Sequence, residues 1–253
     1  MKVVDLSKPI KYNAQDPFFM RVKIKHKPYW HGRWLVRFLG LPFKLMPKDF
    51  VGWADDTITQ MGVHSTTHID APSHYGPLAA GKRAATVDEI PLDKCIGAGV
   101  VIDMSHKQDG EAISAADMDA AIAKSGASIE PDTIVLIRTD RDRYLGTSEY
   151  WKRGTGMTAE ATEWLIDRGV TVMGIDQWGW DTPFHYQIAK SKRENRSDLF
   201  WEGHRVGQRK PYWQMEQLAN LAALPSHGFK VCVFPLRLVG ASAAPARVVA
   251  LLD

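Results

Sequence analysis

Cysteine is scarce in this chain: Cys95 and Cys232 are the only two in 253 residues, and each sits in an apolar run, KCIGAGVVI and KVCVFPL. Neither a disulfide framework nor a cysteine-built metal site is expected from them, and both thiols read as small core hydrophobes. A large charge of one sign is also missing. The net charge of +3 is too small to make nucleic acid the main partner. No apolar run approaches the roughly 20 residues that a membrane span requires, so no membrane partner is expected either. The opening MKVVDLSKPI has no long apolar stretch and no small-residue cleavage site, which leads to the expectation of a soluble, cytoplasmic protein. Repeats and low-complexity linkers are absent as well, and the length suits one large domain.

One absence is local. Between Asp16 and Asp49 there is no acidic residue, and the stretch interleaves Arg, Lys, Trp and Phe. Such a mixture can bind nucleic acid, an anionic membrane surface or an anionic small molecule. The preferred reading of residues 17–56 is an irregular lid or subunit contact, because aromatics and Arg favour interfaces. A lid could also bring Arg or Lys to a substrate carboxylate.

What is present elsewhere is an alternation of strand and helix signals. Residues 1–10 read as a strand that Pro9 ends, with a helical turn at 86–90. The Gly-led run at 97–105 and the runs at 133–140 and 170–176 read as buried strands. Ser114 followed by Asp117 predicts a capped helix through Lys124 that Gly126 stops, and Thr158 with Glu160 predicts a second one ending at Gly169. A short helix over 216–222 and one or two strands over 229–240 complete an α/β fold in one domain.

The chemistry concentrates in Gly62-Val-His-Ser-Thr-Thr-His-Ile-Asp-Ala-Pro-Ser-His74, which holds three imidazoles and a carboxylate: His64, His68, Asp70 and His74. Imidazole nitrogen and carboxylate oxygen are the donors that Zn²⁺ or Mn²⁺ accept. In a straight strand His64 and His68 would lie about 13 Å apart, whereas a helical turn brings them to about 6 Å. The chain must bend here. The expected form is a single turn followed by extended chain, with Pro72 forbidding a longer helix. The competing explanation is a surface loop whose histidines and hydroxyls satisfy backbone groups.

This segment resembles the signature HxGTHxDxPxH of the cyclase family of metal-dependent hydrolases, which includes bacterial kynurenine formamidases and isatin hydrolases. Thr66 stands where the signature has glycine. Asp5-Leu-Ser-Lys-Pro-Ile10, Leu136-Ile-Arg-Thr139 and Gly174-Ile-Asp176 resemble the family's strands. His204, twelve residues before Glu216, resembles its second metal element, and Gly240 to Arg247 its tail. The resemblance implies a barrel-like mixed sheet with flanking helices, of the swivelling β/β/α type. It implies that His64, His68 and Asp70 hold one ion, with Asp70 and Glu216 able to bridge to a second ion also bound by His204. The carboxylate at Glu216, rather than a neutral amide, favours two ions over one.

The implied activity is hydrolysis of a C–N or C–O carbonyl bond in a small, aromatic substrate (a formamide, cyclic amide or lactone) by a metal-activated water. His74 is the expected general base and proton shuttle. Thr66, Trp178, Trp180 and His185 are candidate substrate contacts, the two tryptophans replacing a polar wall. The alternative is a metal-dependent cyclase or dehydratase using the same ions. The family also implies a homodimer or homotetramer.

Overall fold

Strand signals at 97–105, 133–140 and 170–176 come from runs of Val, Ile and Leu, and all three are strands in this computed structural model, which describes residues 1–252. The chain divides into two compact units, one made of Met1–Pro9 with Val63 onward and the other of Ile10–Gly62.

The larger unit is built on eight strands: β1 (Lys2–Asp5), β2 (His68–Asp70), β3 (Ile96–Asp103), β4 (Ile134–Arg138), β5 (Val172–Ile175), β6 (Trp213–Glu216), β7 (Phe229–Pro235) and β8 (Ala243–Leu252). The sheet runs β1-β8-β7-β3-β4-β5-β6-β2, and a further pairing of β8 with β2 closes seven strands into a barrel with β1 outside the ring on β8. Neighbours from β3 through β6 are parallel, and the remaining pairs are antiparallel. This is the mixed, barrel-like α/β fold that the sequence implied.

Period-two alternation sends successive side chains to opposite faces. Ile69, Val101, Leu136, Val172, Met215, Val231 and Ala244 meet in one buried cluster that draws on every strand of the ring, the barrel interior. Val100, Ile102, Val135, Ile137, Met173 and Ile175 face outward, where Met118 of α2 (Ala115–Ser125) and Ala161 and Leu165 of α3 (Ala159–Ile166) cover them. Each buried Val, Leu, Ile or Met side chain among them contributes roughly 1.5–3 kcal/mol of transfer free energy.

Both of these helices begin at the expected caps, and α2 ends where expected, whereas α3 ends at Ile166, short of Gly169. Ser114 accepts from Asp117 N, the Asp117 carboxylate accepts from Ser114 N, and Gly126 stops α2 in the left-handed region at φ 68°. Thr158 caps α3 by accepting from Ala161 N. Three further helices are short or flank the site: α1 (Pro72–Tyr75), α4 (Phe184–Glu194) and α5 (Glu202–Arg205).

Three local expectations are corrected. The proposed helix at 216–222 is absent: Glu216 ends strand β6, and only Leu221–Ala223 makes a 3₁₀ turn. Pairing of β6 with β2 and β5 overrides the helical spacing of Leu218 and Leu221. In the metal motif the turn precedes the extended chain as expected, but the extension stops at Asp70 and a helix follows it. His64 lies in a turn, His68–Asp70 is extended, and His74 sits on α1, which Pro72 starts rather than prevents. Proline is tolerated at a helix's first position because no intrahelical N–H is needed there.

The third correction concerns the smaller unit, which is not irregular. Lys23–Lys27 pairs antiparallel with Asp55–Gln60, closed by Lys27 Nζ to Asp55 Oδ2 at 2.6 Å. Trp30–Phe38 is a helix in which Gly32 packs so closely on Trp53 that a Cβ there would lie 2.6 Å from its ring. Trp30, Trp34 and Phe38 recur at helical spacing, yet all three are exposed. Their periodicity therefore did not read as a core-facing helix. Among the described residues no helix is long and apolar enough to cross a membrane.

Candidate metal centre

Strand register brings the candidate ligands together. In the β2–β6 ladder, Glu216 lies opposite His68 and Gln214 opposite Asp70, while Met215 and Ile69 between them point into the barrel. All four polar side chains therefore share the outer face of the sheet, and all are buried. On the other flank of β2, Ala243 and Pro245 of β8 lie opposite Asp70 and His68. His64 joins from the preceding turn, His74 from α1 and His204 from α5.

The donor atoms converge. His64 Nδ1 and His68 Nε2 are 3.0 Å apart, and Asp70 Oδ1 lies 2.9 Å from the first and 3.2 Å from the second. Asp70 Oδ1 is nonetheless a buried oxygen without a hydrogen bond, although its contact with His64 is short enough for one. The approach of these lone pairs toward a common point suits a cation between them better than bonds among themselves. His68 Nδ1 lies 2.7 Å from the Thr66 carbonyl. Donation from Nδ1 leaves Nε2 as the free donor atom that a metal needs.

Donor atoms within 4.8 Å of one another form two overlapping groups, His64/Asp70/His74 and His68/Asp70/Glu216, so Asp70 belongs to both. This donor set fits a divalent cation. Burial opposes ionisation of Asp70, but His68, His74 and His64 hold its pKa well below the usual carboxylate range. Glu216 is also lowered against its burial, chiefly by His204.

His204 Nε2 lies 3.3 Å from Glu216 Oε1. On its other side Nδ1 meets Asp181 Oδ2, and Asp181 also accepts from the backbone N–H of Gly203 at 2.7 Å and of His204 at 3.2 Å. Burial disfavours the imidazolium, yet Asp181 and Glu216 raise the His204 pKa to about 10. Asp181 thus fixes α5, and Asp181→Ala is expected to cost about 3 kcal/mol by leaving a buried partner unpaired. Urea unfolding measures this, and an unchanged midpoint would contradict the assignment.

Glu216 is oriented by a loop nest. Gly179 N and Trp180 N donate to its two oxygens at 3.2 and 3.0 Å. The turn needs a positive φ, 88° at Gly179, which glycine adopts without strain.

The motif hydroxyl of Thr67 holds the loop in place, accepting from Lys8 N and donating to the Gln217 carbonyl at 2.6 Å. Gln217, buried and left-handed at φ 57°, donates from Nε2 to the His64 carbonyl at 2.7 Å and accepts from Lys8 Nζ. These contacts anchor the turn that carries His64 to the end of β6. Thr66, in the glycine position, is buried with a φ outside the left-handed region, so its backbone does not require glycine here.

The remaining candidates divide. His74 joins the cluster: its ring is 4.3 Å from that of His64 and 5.7 Å from that of His204. Trp178 is half-buried and packs edge-on against Trp151 and Phe184. Trp180 is a correction. Its ring is fully buried, bonds Thr162 through Nε1 and packs on Gly203, so only its backbone reaches the site. His185 is likewise not brought to the cluster; it is exposed on α4 beside Tyr186.

Sequence reasoning missed Gln214, Asp181 and Trp201. Trp201 stacks on His204 at 4.5 Å and meets His74 edge-on at 5.4 Å. It holds a left-handed φ of 57°, costly for a bulky side chain and common where a site imposes it.

A closed mixed barrel with a buried His/Asp/Glu cluster on its outer face defines an enzyme built around a cation-binding centre. Residues 4–182 match the Cyclase family model, and the chain belongs to that family. It is 30% identical over 190 residues to a kynurenine formamidase of Paracidovorax citrulli, covering 75% of this chain and 76% of that one. It is 26% identical over 203 residues to an isatin hydrolase of Roseibium aggregatum, covering 76% and 73%. Isatin hydrolase A from Ralstonia solanacearum superimposes with a TM-score of 0.74 at 25% identity, over 100% of this chain and 92% of the other. An isatin hydrolase bound to the product analogue thioisatinate shares the fold at a TM-score of 0.73 and 22% identity, over 100% and 92%. The protein is an enzyme of the hydrolase type.

Proposed function

We propose that this enzyme hydrolyses a C–N or C–O carbonyl bond (formamide, cyclic amide or lactone) in a small aromatic substrate, with Zn²⁺ or Mn²⁺ held by His64, His68 and Asp70. The observation that carries the reading is the convergence of His64 Nδ1, His68 Nε2 and the unbonded Asp70 Oδ1. When bound there, a divalent ion lowers the pKa of water towards about 7 and polarises a carbonyl oxygen.

The protein's own groups do the rest. His74 is held neutral, its pKa lowered to about 4 first by burial and then by His64 and His204, with Asp70 and Glu216 opposing. A neutral imidazole accepts a proton from the attacking water and delivers it to the leaving nitrogen or oxygen. Trp201, touching His74 and His204, offers a flat apolar face for an aryl group, and Trp178 with Trp151 offers another. The related kynurenine formamidase and isatin hydrolase support this substrate class.

The reading includes a soluble cytoplasmic homodimer or homotetramer in which residues 17–56 serve as lid or subunit contact. Exposed Trp30, Trp34, Phe38 and Leu39 support it; sedimentation of the purified chain tests it. The substrate test is a panel of formyl-anilides, cyclic imides and lactones assayed with each metal. Turnover of one class narrows the substrate, and no turnover of any removes the assignment.

A further inference from the structure

Gln214 places its amide among Asp70, His204 and Glu216. Its side chain is fully buried on β6, two residues before Glu216 and on the same face. Gln214 Nε2 donates to Glu216 Oε1 at 2.7 Å and to Asp70 Oδ2 at 3.4 Å, and it faces His204 Nε2 at 3.1 Å. Those three residues are the ones that the sequence resemblance assigned to a second ion. An amide NH₂ carries positive partial charge on two hydrogens and satisfies the carboxylates as a weak cation would.

The amide orientation is set by Glu216, because an amide oxygen 2.7 Å from a carboxylate oxygen would be repelled while the NH₂ bonds it. Gln214 Oε1 in turn lies 3.0 Å from the Tyr212 hydroxyl, which can donate to it. The carboxylates on one side and the hydroxyl on the other thus serve the two ends of the amide.

From this geometry we infer that the enzyme works with one metal ion per chain, and that the Gln214 amide takes the place of a second ion between Asp70, His204 and Glu216. The inference rests on the reading that His64, His68 and Asp70 hold an ion. It makes Gln214 a positioning residue for Asp70 and Glu216, and it leaves His204 outside the ligand set.

The test uses the full-length protein loaded with excess Mn²⁺, dialysed and analysed for manganese per chain, alongside its electron paramagnetic resonance spectrum. Wild type is expected to hold one ion and to show an uncoupled six-line signal. Gln214→Glu, which keeps the shape and adds an acceptor, is expected to hold two ions and to show exchange coupling, since paired-metal sites place ions about 3.5–4 Å apart. Gln214→Leu, removing the NH₂, is expected to raise the count above one, and circular dichroism confirms that each variant is folded. His204→Ala is expected to leave the wild-type count at one. Two ions in the wild type would overturn the inference and leave the hydrolase reading intact. One ion or none in both folded Gln214 variants would also overturn it, showing that the amide does not exclude a second ion or is itself a ligand. No ion in the wild type would remove the inference together with the reading it rests on.

Discussion

Asp70→Asn is expected to lose bound metal and to lower hydrolysis by at least about a thousandfold, since metal-assisted activation supplies several kcal/mol and about 4 kcal/mol corresponds to that factor. The substitution preserves shape and removes one negative charge from the atom on which His64 and His68 converge. Asp70 belongs to both donor groups of the centre, and a neutral amide is a far weaker ligand for a divalent ion than a carboxylate. Metal analysis and steady-state assays on the folded variant measure both effects. Retained metal with normal turnover would show that the convergence of these atoms is structural.

His74→Ala is expected to separate binding from chemistry: metal stays and kcat falls by roughly 10²–10⁴, the usual yield of general acid–base catalysis. Loss of the metal instead would place His74 among the ligands, which its membership of the His64/Asp70/His74 group permits. The pH profile carries a second signature. A base must be deprotonated to act, so activity falls as pH drops through its pKa. Burial lowers this pKa from 6.5 to about 4, and a nearby cation lowers it further, so the acid limb attributable to His74 lies below pH 6.5. The same shift has a stability sign. The neutral ring is favoured in the folded state, so its contribution is present above pH 6.5 and is lost as pH falls through about 4.

The sequence announced the centre because histidines and a carboxylate crowd into eleven residues, a compositional signal that survives ignorance of the fold. The distance argument also held in part: the chain does bend between His64 and His68. It could not tell that the extension would end at Asp70, because the length of β2 is set by its pairing with both β6 and β8. Gln214 gave no signal, since a glutamine on a strand reads as an ordinary polar residue until the register sets it opposite Asp70. Asp181 and Trp201 were hidden for a similar reason. They act through a short helix, α5, whose position is set by tertiary packing rather than local pattern. Trp180 shows the reverse error, since aromatic character alone suggested a pocket wall where the ring is core.

The most direct test of the central claim is elemental analysis of the purified enzyme coupled to hydrolysis assays before chelation, after chelation and after metal return. A metal content of at least one ion per chain, activity that vanishes with a chelator and returns with Zn²⁺ or Mn²⁺, and loss of both in His68→Ala are the expected results. Full activity in protein stripped of metal would contradict the account.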